Sequence, residues 1–234
     1  MKKCIYHGSV NIIKKPIFGY GKIHNDYGLG FYCTEDIELA KEWAVNKIQN
    51  GFANKYELEL DGLKTLDLNQ PQYCVMHWLA LLLNNRTFQT QYPLAQDAKE
   101  YILKTFLIDV NEYDVIIGYR ADDSYFAFAN DFINGAISYR QLCYAIKLGD
   151  LGQQIVLKSE KAFNQISFLE AIPVEHGIYY PKKNQRDIKA RQDYISSKTA
   201  KREKGDIYIN QILNEEMQED DPRLQWNIFV SCSK

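Results

Sequence analysis

The sequence predicts an α+β fold, on three observations. Some segments carry strand periods: Tyr56-Glu57-Leu58-Glu59-Leu60 alternates apolar with acidic, and Tyr113–Gly118 is a near-continuous apolar run. Others carry helix periods, such as Ile37, Ala40, Ala44 and Ile48, or are apolar but for His77, such as Cys74–Leu83. Hydrophobic residues make up 46% of 234 and charged residues 25%, which is enough to bury a substantial core.

In chain order, Cys4–Ser9 is a first strand that ends at His7-Gly8. Asn11–His24 is a loop punctuated by Pro16, Gly19 and Gly21. After Gly28 and Gly30, Phe31–Thr34 is a short aromatic strand. Thr34 is expected to cap the helix that follows, with Glu35 and Asp36 in its first turn and Gln49 at its end. The strand at Tyr56 stops at Asp61-Gly62, and Leu63–Leu68 is expected to be its hairpin partner. Tyr73–Leu83 and Asp97–Phe106 are helices, and Tyr113–Gly118 is a central strand. Asp123–Ile133 is an aromatic-rich helix. Ser138 and Gln141 form a capping box that opens another, through Leu148. Gln153–Lys158 is a strand, Ser159–Phe163 a short helix and Gln165–Leu169 a last strand. Residues 1–171 then form one domain. Residues 172–234 form a charged, mostly helical extension, basic between Pro181 and Lys204 and acidic from Glu215 to Asp221. Leu224–Val230, with Trp226 and Phe229, is apolar enough to pack back on the body or on a partner.

Composition narrows the function classes. A net charge of −2 gives no overall basic excess, although local basic patches remain open. The five cysteines are scattered with no CxxC pair, as in a reduced, cytoplasmic protein. No secretory leader is visible, and the longest apolar run is about half a membrane span, so no membrane partner is expected. Dinucleotide fingerprint, P-loop, zinc motif and hydrolytic triad are all missing. Asp122-Asp123 is read as a helix cap before a metal site, and no metal is expected. Of the four histidines, His7 stands out, because at a strand end it can offer a ring nitrogen to a ligand hydroxyl.

Tyr6-His7-Gly8-Ser9, followed by Gly28-Leu29-Gly30-Phe31-Tyr32, resembles the HGS…GxGxY pattern of ADP-ribosyltransferases. It is closest to their histidine-tyrosine-glutamate class, and within it to a bacterial domain family of uncharacterised function. The resemblance runs on through DYGLGFYCTEDIELAKEWA, YDVIIGYRADD and LGQQIVLKSEKAF, and so spans about residues 4–170. It implies a split two-sheet core with flanking helices and an NAD site between the strands of His7, Tyr32 and Gln154. His7 would bond a ribose hydroxyl of NAD. The backbone of Gly8, followed by Ser9, would hold the carboxamide. Tyr32, just past Gly30, would stack on the nicotinamide, with Trp43 facing it.

The third element of the class, a glutamate, falls here on Gln154. An amide can bond the ribose but brings no charge to an oxocarbenium-like transition state, and it cannot act as a general base. Glu160, just past the strand, could supply a carboxylate. The resemblance implies mono-ADP-ribosyl transfer from NAD to a macromolecular acceptor, protein or nucleic acid. A bacterial toxin or antiphage effector, held by an antitoxin-like partner at the extension, is the implied setting. The alternative is a catalytically weak NAD- or ADP-ribose-binding module that acts through a protein partner. A third reading makes the aromatic cleft plain core. Acceptor specificity would lie in loops, for which Asn11–His24 and Tyr119–Tyr125 are the candidates.

Overall fold

The computed structural model describes residues 1–88, 92–121, 123–148, 152–201 and 203–225, with the backbone alone for 123–125. The fold is α+β. The chain divides into two units, each assembled from three segments. The first is Met1–Asp67, Asp109–Arg120 and Gly149–Lys189, and the second is Leu68–Ile108, Ala121–Leu148 and Ala190–Lys234.

The first unit holds two sheets. β1 (Lys2–Ser9), β3 (Gly51–Glu59) and β7 (Ile166–Val174) form an antiparallel sheet in the order β1-β3-β7. β2 (Phe31–Cys33), β6 (Gln153–Leu157), β5 (Val115–Tyr119) and β4 (Thr65–Asp67) form the other, in the order β2-β6-β5-β4. A backbone bridge between Tyr6 and Thr34 links β1 to the end of β2. The facing sides bury Ile5, Tyr56 and Leu58 of the first sheet against Phe31, Cys33, Val115, Ile155 and Leu157 of the second. Strand side chains alternate between faces. The other face of the first sheet therefore carries Gly8 and Ala53, and on it pack α1 (Ile37–Ala44) and the tyrosines Tyr179 and Tyr180 of α7 (His176–Thr199). α6 (Glu160–Asn164) connects β6 to β7.

Several local expectations are corrected. Asp36 caps α1, its Oδ1 accepting from the N–H groups of Glu38 (2.8 Å) and Leu39 (3.3 Å). Thr34 instead exchanges backbone hydrogen bonds with Tyr6, and that pairing holds it outside the helix. The helix stops at Ala44, because Val45 is extended, and Ile48 is left exposed and off the apolar stripe. The Leu63–Leu68 segment makes no hairpin: its ordered part, β4, pairs in parallel with β5 in the other sheet. β7 runs on to Val174, past the expected end of the last strand at Leu169.

The second unit contains α2 (Val75–Asn85), α3 (Pro93–Phe106), α4 (Asp123–Ile133), α5 (Tyr139–Ala145), residues 190–199 of α7, and α8 (Ile209–Asn214). α2 is buried from Val75 to Leu83, as a run apolar but for His77 requires, and His77 Nδ1 accepts from Cys74 N–H at 3.1 Å. Ser138 and Gln141 form the capping box, and α5 ends at Ala145, before Leu148. The chain after α7 is tied down: Arg140 pairs with Asp206 through two bonds (2.8 and 3.2 Å), and in the acidic segment the Met217 carbonyl accepts from Tyr101 OH (2.9 Å). Leu224 is fully buried, and its carbonyl accepts from Tyr139 OH at 2.8 Å. Trp226 and Phe229 lie outside the described residues. Among the described residues no helix is long and apolar enough to cross a membrane.

Candidate functional site

His7 lies on the core face of β1, its ring stacked on Phe31 at 4.4 Å. Its Nδ1 is 2.7 Å from the Tyr32 carbonyl, which only accepts, so Nδ1 carries the proton. In the neutral ring the lone pair is then on Nε2. Burial lowers the His7 pKa and favours this neutral form, outweighing the carbonyl bond, which raises it. The contact fixes the ring against β2 and sets its acceptor nitrogen.

Gly8 serves packing directly. A Cβ there would overlap the Ala40 carbonyl oxygen and stand 2.7 Å from both Ala44 N and Trp43 Cβ. Only a glycine lets α1 lie this close to β1, and that contact positions Trp43. Tyr6 turns its N–H and C=O away from β3 to Thr34, so Gly8, two residues on, turns its own to the same edge of β1. The carboxamide expectation placed a ligand along this edge. Ser9 Oγ accepts from Asn11 N–H at 3.2 Å, which starts the following loop.

Gly30 is also closely packed: a Cβ would lie 2.7 Å from Val156 Cγ1 and 2.8 Å from Leu157 O. Its missing side chain lets β2 enter beside β6. Tyr32 pairs with Val156, and Cys33 with Ile155. Cys33 and Ile155 point into the core, so Tyr32 and Gln154 share the opposite face. The sheet thus brings Tyr32 and Gln154 together on one face, while the His7 ring lies on the other and reaches Tyr32 through its backbone. Tyr32 OH accepts from Tyr27 N–H (3.1 Å) and donates to Gly28 O (2.6 Å), closing the glycine loop on itself.

Gln154 lies opposite Gly118 of β5 and is 5% exposed. Its Oε1 is buried with no hydrogen-bond partner, and so is the indole Nε1 of Trp43. The Arg120 guanidinium sits 4.6 Å over the Trp43 ring. Glu160 is exposed at the start of α6, one residue after its Ser159 cap, and outside the strand that holds Gln154. Asp122 lies outside the described residues; among those described, no group of three or more His, Cys, Asp or Glu side chains is arranged to hold a metal.

Four contributors were not singled out from sequence. Glu42, buried beside Trp43, accepts from Arg186 of α7 at 2.7 Å. Burial raises its pKa, against the pull of Arg186 and the weaker pulls of Arg120 and Lys183. Lys158 donates to the carbonyls of Tyr27 and Leu29, both at 2.6 Å, and pins the glycine loop to the end of β6. Tyr27 OH donates to Tyr119 O at 2.6 Å, tying the same loop to β5. The polar letters themselves, such as the lysine after QQIVL, were the available signal, but their partners are far away in sequence.

No curated protein and no solved structure matches the chain. One family's sequence profile matches residues 3–168, the stretch that supplies His7, Gly8, Tyr32, Trp43, Gln154, Arg120 and Lys158. The chain belongs to that family, described as "Protein of unknown function (DUF3990)".

Proposed function

We propose that the first unit binds NAD and transfers its ADP-ribose group to a macromolecular acceptor. The observation that carries this reading is the pair of buried, partnerless polar atoms, Gln154 Oε1 and Trp43 Nε1. Such atoms cost about 1–3 kcal/mol each when left unsatisfied, and a bound ligand removes that cost. Oε1 accepts from a ribose hydroxyl, and the indole N–H donates to an acceptor on the ligand. The neutral His7 imidazole, on the opposite face, holds the Tyr32 backbone in place, and the Gly8 edge offers a donor and an acceptor to a carboxamide.

In this reading the C1′–N bond of NAD breaks and its electron pair leaves on nicotinamide. The ribose carries the positive charge until an acceptor oxygen or nitrogen adds and releases its proton to solvent. Gln154 orients the ribose but does not neutralise that charge, so turnover is slow. The neutrality of Gln154 also favours a second reading, a module that holds NAD or ADP-ribose without turnover. The toxin-like setting and the neutralising partner remain part of the proposal, on resemblance alone.

The test is incubation of the purified chain with NAD labelled in the adenylate, with and without cell lysate, together with calorimetry. Nicotinamide release and labelled macromolecules support the enzyme. Binding without release supports the module. Neither binding nor release removes both readings.

A further inference from the structure

The loop between β1 and β2 is built to be displayed. Its root is pinned by buried polar groups: Asn54 Nδ2 donates to Asn11 O (3.1 Å), Ile13 N–H donates to Asn54 Oδ1 (3.0 Å), and Tyr56 OH donates to Ile13 O. Pro16 is buried, and beyond it the chain turns, with Tyr20 N–H donating to Ile17 O (3.2 Å) and Gly19 at φ +79°. Phe18 is propped edge-on against Phe163 at 5.5 Å. On this scaffold the side chains face solvent, with Phe18 51% and Tyr20 80% exposed. Ile12, Ile17 and Ile23 are exposed with them, as are Lys14, Lys15 and Lys22. No acidic residue occurs between Asn11 and His24.

Five large apolar side chains exposed in one short loop are more than singly scattered surface residues, and the charge between them says what they fit. Three lysines without an acid fit a polyanion, whereas protein interfaces are depleted in lysine. Two exposed rings interleaved with those cations match the stacking platform and electrostatic track that hold single strands. We infer that the Asn11–His24 loop is a docking surface for single-stranded nucleic acid, with Phe18 and Tyr20 stacking on bases and Lys14, Lys15 and Lys22 facing phosphates. This surface is independent of the NAD reading. Should both hold, the acceptor class becomes a nucleic-acid strand.

Fluorescence anisotropy of the full chain with labelled oligo(dT) and oligo(rU) of about 20 nucleotides, without NAD, tests the inference. Three phosphate contacts predict a log–log salt slope of about −2. Tyr20→Ala and Phe18→Ala should each weaken binding by about tenfold and leave the slope unchanged. Lys14→Gln/Lys15→Gln/Lys22→Gln should flatten the slope. Melting curves report whether each variant folds, and Tyr20→Ala, at the most exposed ring, is the decisive one. No binding to either oligonucleotide would overturn the inference. So would binding that ignores Tyr20→Ala, or association with phosphatidylglycerol vesicles in place of oligonucleotides.

Discussion

Gly8→Ala adds one methyl group at the closest approach of α1 to β1. The added carbon overlaps the Ala40 carbonyl oxygen and meets Ala44 N and Trp43 Cβ, each at 2.7 Å. Two of these neighbours are helix backbone, which cannot rotate away, so the whole of α1 must lift. Overpacking in cores costs about 1–3 kcal/mol where side chains can yield. Here they cannot, and about 3 kcal/mol or more is expected. For a chain of this size each 1 kcal/mol moves Tm by about 2–4 °C, so Tm should fall by at least about 6–12 °C. The lift displaces Trp43 as well, so any stabilisation by NAD should disappear with it. Gly177→Ala is the control, because nothing lies within 4 Å of a Cβ at that position in α7. Its Tm should stay level or rise slightly. Calorimetric melts of both variants with and without NAD read all of this. A Gly8→Ala melt within about 2 °C of wild type would refute the close-packing argument.

Gln154→Glu should raise nicotinamide release by about 100-fold, as restoring a charge opposite a developing cation would. An unchanged rate excludes Gln154 from the reacting centre. The His7 pKa lies below its ordinary value of 6.5 in the folded chain, because burial disfavours the cation. Below pH 6.5 the unfolded chain takes up a proton that the folded chain refuses, so stability present above 6.5 is lost as pH falls toward the folded value. His7→Gln should therefore flatten the decline of Tm between about pH 7 and pH 5, and an unaltered decline contradicts this. Arg186→Met strands the buried Glu42 carboxylate. Glu42 already has its pKa raised above 4.5 by burial, so ionised Glu42 costs stability above that pH and protonated Glu42 does not. The Arg186 side chain is about a quarter exposed, so the loss at pH 7 should be about 1–3 kcal/mol, less than for a fully buried pair. Denaturant titrations should show that loss shrinking toward pH 5, whereas a loss independent of pH would assign it to packing.

What could be read from the sequence was what local pattern encodes. The apolar runs of β5 and β6 mark interior strands, and both have neighbours on either side. The Ser138 capping box depends on four consecutive residues and forms as written. Thr34-Glu35-Asp36 offers two capping side chains in a row, and local chemistry alone does not choose between them. The distant strand β1 decides, by engaging the Thr34 backbone. Leu63–Leu68 has the spacing of a hairpin arm, yet the partner of β4 is β5, about fifty residues on, beyond the reach of turn rules. Of the candidate site, the residues on β1, β2 and β6 were legible, because motif letters fall on strands. Their supports were not: the partners of Glu42 and Lys158 lie 144 and 129–131 residues away. Nor does a motif tell a glycine that admits a ligand from one that admits a helix, and Gly8 and Gly30 both stand against protein atoms.

The strand order sets a timetable for synthesis. β6 separates β2 from β5, so apart from the Tyr6–Thr34 bridge to β1, β2 has no partner in its own sheet until residues 153–157 have left the ribosome. β3 waits longer for β7, and Glu42 longer still for Arg186. A nascent chain therefore carries its His7 and Tyr32 letters for more than a hundred residues before any sheet can align them with Gln154. Unpaired edges exposed for that long invite other strands, and a translation that stops before β6 should give an aggregating fragment with no site.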